Sequence, residues 1–211
     1  MNSVERSFGS LPDGREVRLF TFRNENGYEL SVMNYGGIIT SFKGPNRTGE
    51  VDELTLAYNT LEEYLQGHPF FGATVGRVAN RTRNAGITVK GSYYELSPHP
   101  SPQVHLHGGA EGFDKKLWDA EEVEPDKESR GVKLELVSPD GDQGYPGELS
   151  VSVTISLSED NRLEFNYRAE TSAPTPVNLT NHSYWNLAGA GKIYDHEIRL
   201  YSSSFVETDG K

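Results

Sequence analysis

Between residues 149 and 157 apolar and small polar residues alternate without a break, Leu-Ser-Val-Ser-Val-Thr-Ile-Ser-Leu. A period of two places Leu149, Val151, Val153, Ile155 and Leu157 on one face of a half-buried strand. The polar run Ser158-Glu159-Asp160-Asn161 reads as a turn, after which residues 162–168 alternate again with Leu163, Phe165 and Tyr167 inward. The two segments predict an antiparallel hairpin. Weaker alternation recurs over 16–22, 28–33, 37–43, 132–137 and 197–201, separated by Gly, Pro, Asn and Asp clusters that favour turns. Many short strands with turns between them predict an all-β sandwich or barrel. One short helix stands out, because Thr60 and Glu63 form a capping-box pair and Gly67 ends the turn that follows. The charged stretch 121–130 reads as a hairpin loop, and no linker or repeat divides the chain, so residues 1–211 are expected to form a single domain.

Composition narrows the function classes. The formal net charge is −11 and lysine and arginine are scattered, so no nucleic acid partner is expected, since phosphate backbones are held by many cations. Cysteine is absent, which removes disulfide frameworks, thiolate metal sites and thiol nucleophiles. No stretch approaches the roughly 18 apolar residues of a membrane span, and the first residues lack the apolar core of a secretion signal. No membrane partner is expected, and a cytoplasmic location is.

Three segments carry candidate chemistry. Residues 177–187, Val-Asn-Leu-Thr-Asn-His-Ser-Tyr-Trp-Asn-Leu, crowd amides, hydroxyls, an imidazole and two aromatic rings into one stretch. Such a mixture suits a neutral polyol: amides read hydroxyls, rings cover sugar C–H faces, and imidazole moves protons near neutral pH. A hydrogen-bonded structural role for His182 is the plainer alternative. In Val104-His105-Leu106-His107-Gly108-Gly109 the two imidazoles would share a side if the stretch were extended. Residues 72–81 are dense in small side chains and contain Arg77, Asn80 and Arg81, whose guanidinium forks could hold paired hydroxyls or lie in solvent or salt bridges. A metal reading competes, because His105, His107, Glu111 and His182 resemble the ligand set of cupin metalloenzymes. The spacer Gly108-Gly109-Ala110 favours a turn and works against it, so no metal is expected.

Taken in order, Gly76-Arg77-Val78-Ala79-Asn80-Arg81, Leu106-His107-Gly108-Gly109 with Gly112-Phe113-Asp114-Lys115, Gly144-Tyr145-Pro146-Gly147 and residues 178–187 resemble the aldose 1-epimerase (galactose mutarotase) family. The resemblance runs over nearly the whole chain. It implies a large antiparallel β-sandwich, here incomplete at the C-terminus, with no cofactor. The implied activity interconverts the α and β anomers of a free hexose such as galactose or glucose.

Carried over by motif, His182 matches the acid that protonates the ring oxygen. Asn80 and Arg81 match the substrate-holding pair and His107 the second histidine. Tyr184 is placed among the substrate-binding residues, while Arg77 and Trp185 fall inside motifs without a fixed role. The family's glutamate base and a sugar-binding aspartate come from a C-terminal region that the resemblance does not find in this chain, and neither Glu207 nor Asp209 matches them. A non-catalytic carbohydrate-binding fragment is therefore the second reading, and a sandwich ending here is expected to leave apolar surface open and to self-associate, beyond the monomer or homodimer otherwise anticipated.

Overall fold

The computed structural model describes residues 1–205. A first antiparallel sheet runs in sequence order through β1 (Asn2–Ser10), β2 (Glu16–Arg23), β3 (Glu29–Met33), β4 (Ile38–Pro45) and β5 (Val51–Glu53). The helix α1 (Leu61–Leu65) follows, with the expected capping box: Thr60 Oγ1 accepts from the Glu63 N–H and the Glu63 carboxylate accepts from the Thr60 N–H. Short strands β6 (Thr74–Val75), β7 (Arg81–Arg83), β8 (Gly86–Val89), β9 (Ser92–Glu95) and β10 (Val104–Leu106) come next. A second antiparallel sheet contains β11 (Asp119–Asp126), β12 (Ser129–Ser138), β13 (Leu149–Ser158) and β14 (Leu163–Thr171), again in sequence order. The last strand, β15 (Thr180–Asn181), pairs back to β6.

The two sheets form a β-sandwich. Phe20, Phe22, Leu30, Val32, Ile39 and Phe42 of the first sheet meet Val132, Leu134 and the whole inward row Leu149, Val151, Val153, Ile155 and Leu157 of the second. Each of these side chains removes enough apolar area from water to contribute about 1.5–3 kcal/mol. The first sheet is covered on its other face as well. Val17, Leu19, Met33 and Ile38 pack with Leu61 and Tyr64 of α1. The β13–β14 hairpin has the expected register, and its turn is closed by the Ser158 N–H donating to the Arg162 carbonyl, with Asn161 at φ 68°.

Two expected elements differ. Residues 121–130 are not a loop: most of them belong to β11 and β12, which pair antiparallel around a turn at Lys127 and Glu128. β11 is the outer strand of its sheet, and solvent-facing carboxylates at Glu121, Glu122 and Glu124 give it the composition of a loop. Residues 197–201 form no strand; Ile198, Leu200 and Tyr201 lie exposed and pair with no strand among the described residues. Apolar side chains are exposed at Leu187, Tyr194 and Phe205 as well. Glu207 and Asp209 lie outside the described residues.

Candidate active site

The spine of the site is the segment from Thr74 to Arg81. At one end β6 pairs with β15, and the ladder continues as the His182 N–H donates to the Ala73 carbonyl at 2.8 Å. At the other end β7 pairs with β10, and the His107 N–H donates to the Asn80 carbonyl at 3.1 Å. One stretch of backbone thus sets the place of both histidines. Close approach requires glycine on each side of it: a Cβ on Gly108 would collide with the Gly76 carbonyl, and one on Gly76 with the Phe113 ring.

Arg77 holds this spine from within. It is neither solvated, nor salt-bridged, nor turned to a ligand, and only 2% of it is exposed. Its Nε donates to Ser138 Oγ at 3.0 Å, Nη2 to the Ser138 and Pro139 carbonyls, and Nη1 to the Pro146 and Gly147 carbonyls. Its planar fork satisfies several loop carbonyls at once, which is a use for arginine in a buried setting.

The two imidazoles stand perpendicular, with ring centroids 5.0 Å apart at 89°. The Asn80 N–H donates to His107 Nδ1 at 3.0 Å. A backbone amide can only donate, so Nδ1 is unprotonated, the ring is neutral and Nε2 carries the hydrogen. Burial, His182 and Arg81 together push the His107 imidazole down to about 4. The ring nitrogens of His182 take no hydrogen bond from the described residues; its ring instead packs against Tyr184 at 5.2 Å and Phe70 at 5.6 Å. Asn80 and Arg81 are exposed beside His107, and Asn80 Oδ1 accepts from the Arg81 N–H at 2.8 Å. His182, His107, Asn80, Arg81 and Tyr184 therefore lie together in one place.

Other candidates do not join them. His105 lies on the strand and His107 beyond its end at φ 53°, so the two rings part. His105 is buried, with Nδ1 at 2.7 Å from the Ser97 carbonyl and Nε2 at 2.8 Å from the Tyr145 hydroxyl. Both nitrogens are occupied, which dissolves the cupin-like ligand set. Among the described residues no group of three His, Cys, Asp or Glu gathers that could hold a metal. Trp185 packs edge-on against Phe42 at 5.6 Å, away from the imidazoles. The amides of Asn181 and Asn186 serve the backbone, donating to the Gly72 and Gly191 carbonyls.

Residues 18–211 match the protein-family model described as aldose 1-epimerase. The chain belongs to the aldose 1-epimerase family. Galactose mutarotase from Sus scrofa is 45% identical over 213 aligned positions, covering 99% of this chain and 60% of its own length. Aldose 1-epimerase from Escherichia coli K12 is 38% identical over 199 positions, covering 94% of this chain and 56% of its own. The solved galactose 1-epimerase from Lactobacillus acidophilus superposes with a TM-score of 0.77 at 29% identity, covering 88% of this chain and 53% of that one. An aldose epimerase homologue from C. elegans gives 0.72 at 31% identity, with 81% and 51% covered. This aldose 1-epimerase family chain thus spans about 60% of the length of the curated relatives it matches. Its β-sandwich is the one the family resemblance implied.

Two residues beside the site carry no motif signal that singled them out. Phe70 packs against both imidazoles, and His68 packs behind Phe70 at 6.2 Å with both ring nitrogens buried and unpartnered. Their only trace in the sequence is the aromatic run His68-Pro69-Phe70-Phe71 directly before Gly72.

Proposed function

We propose that this chain carries the sugar-binding and proton-donating part of a mutarotase site acting on free hexoses, galactose and glucose among them. The observation that supports it most is the division of labour between the imidazoles. His107 has its Nδ1 occupied by a backbone amide and presents a neutral Nε2–H, a fixed donor to a ring oxygen. His182 has no partner for either ring nitrogen among the described residues and is the group able to give and take a proton.

In the proposed reaction His182 protonates O5 of the pyranose while solvent water takes the proton of the C1 hydroxyl, since no carboxylate joins the imidazoles among the described residues. The C1–O5 bond breaks, leaving an open-chain aldehyde. Rotation about C1–C2 exposes the other face of the carbonyl, O5 attacks it, and the protons return along the same routes. Asn80 and Arg81 hold sugar hydroxyls, and the Tyr184 ring flanks His182. A positioned acid of this kind contributes roughly 10²–10⁴-fold.

A second reading has its own support, since no carboxylate joins the imidazole pair among the described residues. On that reading the chain binds hexose without abstracting the C1 proton. Polarimetry of freshly dissolved α-D-galactose separates the two. Faster mutarotation with the chain, lost in His182→Ala, is the outcome of catalysis. Saturable galactose binding with no acceleration is the outcome of binding alone, and the absence of both effects would overturn the proposal.

A further inference from the structure

Phe70 is a bulky residue in the left-handed backbone region, at φ 63°. For residues with a Cβ that conformation costs about 1–2 kcal/mol, and it persists where surrounding structure dictates it. Here the surroundings are specific. The Phe70 carbonyl accepts from the Ala73 N–H at 3.1 Å, closing a tight turn. That turn is stitched to the segment bearing His182, with the Gly72 N–H donating to the His182 carbonyl and the His182 N–H to the Ala73 carbonyl. The Gly72 carbonyl accepts in turn from the Ile39 N–H and from Asn181 Nδ2. The turn cannot shift without breaking the backbone bonds that place His182.

The ring that this turn projects is in contact with both imidazoles. Its centroid lies 4.6 Å from His107 at 65° and 5.6 Å from His182 at 35°. His107 is oriented by the Asn80 amide, whereas no hydrogen bond from the described residues fixes the rotation of His182. Two aromatic rings pack against it instead, Phe70 and Tyr184, tilted from it by nearly equal angles of 35° and 34°. A glycine at position 70 would adopt the same backbone without strain. The strain is therefore carried for the side chain.

We propose that Phe70 is a positioning residue, whose ring holds the His182 and His107 imidazoles perpendicular and sets their separation. This inference rests on the reading that the two imidazoles act on one sugar. Among the described residues, the charged and titratable groups facing the trio are Tyr184 against His182, His68 behind Phe70, Lys115 toward His68, and Arg81 beside His107. With few polar neighbours, the orientation of His182 falls to packing. Displacement of a reacting group by about 1 Å can cost on the order of 10²-fold in rate, so such packing bears on catalysis.

The test uses the full chain with Phe70→Gly, which relieves the backbone strain as it deletes the ring, and Phe70→Tyr, which keeps the ring. Imidazole NMR reads the ring-to-ring nuclear Overhauser effects between His107 and His182 and the titration midpoint of His107. In Phe70→Gly the melting temperature is expected to fall only modestly, because relieved strain offsets part of the packing lost with the ring; the ring-to-ring signal is expected to vanish, and the His107 midpoint to climb by about one pH unit or more as water reaches the ring. Phe70→Tyr is expected to preserve both readouts. An unchanged ring-to-ring signal and midpoint in a folded Phe70→Gly protein would overturn the inference. Should that variant fail to fold, Phe70→Leu, which keeps bulk but no ring, must show the same loss for the inference to stand. Neither readout needs substrate, so absence of both mutarotation and galactose binding in the unaltered chain would defeat the functional reading without deciding the place of Phe70.

Discussion

Asn80 and His107 are bound to each other twice: the Asn80 N–H donates to His107 Nδ1 at 3.0 Å, and the His107 N–H donates to the Asn80 carbonyl at 3.1 Å. Both residues have positive φ, 65° and 53°, which turns their backbones toward each other at the end of the β7–β10 ladder. The side-chain tautomer of His107 is thereby written into main-chain geometry. Nitrogen NMR of the imidazole is expected to find Nδ1 unprotonated and Nε2 protonated from neutral pH down to about 5, since burial holds the ring near 4. Asn80→Gly keeps the amide and the backbone and should keep the tautomer. An Nδ1–H signal in either protein would contradict the assignment.

His68 makes the fold sensitive to acid. Burial first, then Lys115 and His182, push its imidazole down to about 4 from an ordinary 6.5. The unfolded chain binds a proton between those values and the folded chain does not, so the neutral ring's contribution is complete above pH 6.5 and is lost as pH falls toward 4. The change from pH 7 to pH 5 amounts to about 2 kcal/mol. His107 acts in the same direction. Urea unfolding at the two pH values should show a slope that His68→Phe flattens; equal slopes would mean that His68 is hydrated in solution.

Asp114 has the opposite sign. It is 1% exposed, its Oδ1 has no partner among the described residues, and burial raises its carboxyl to about 6 despite Lys115 and Lys116 nearby. The folded chain binds the proton more tightly, so this group favours folding at acid pH and opposes it as pH rises from about 4 through 6. Asp114→Asn removes the charge and is expected to stabilise the protein at pH 7 by about 1–3 kcal/mol, with the advantage fading near pH 4. Denaturant titrations of the two proteins at both pH values measure it.

The sandwich was legible where one face of a strand is wet. The row from Leu149 to Leu157 alternates cleanly because Ser150, Ser152 and Thr154 face away from the core. Strands β2 and β3 read more weakly for a physical reason: Val17 and Leu19 enter one apolar cluster and Phe20 and Phe22 the other, and burial on two faces erases the period. Strand β1 went unread because an outer strand of Asn, Ser, Glu and Arg offers almost no apolar signal. In the site, His182 and His107 were visible through their motifs. Phe70 was not, since its role comes from a turn held by long-range backbone bonds that no local pattern encodes.

Arg77 provides a test of how the spine is held. Arg77→Met leaves at least four loop carbonyls and the Ser138 hydroxyl without their donor. Each buried group left unpaired costs about 1–3 kcal/mol, so loss of several kcal/mol and disorder at His107 are expected. Arg77→Lys supplies one point charge in place of a fork and should recover only part of this. Thermal melts rank the three proteins, and equal stability of Arg77→Met would show that water replaces the guanidinium at no cost.

The most direct test of the sugar site is the response of the two imidazoles to sugar. Galactose is titrated into the chain labelled with 15N at histidine, and the ring signals of all six histidines are followed. The predicted result is a saturable shift of His182 and His107 with one common affinity, while buried His105 stays still. Shifts confined to other histidines, or none at concentrations that saturate a mutarotase, would contradict the placement of the sugar between them.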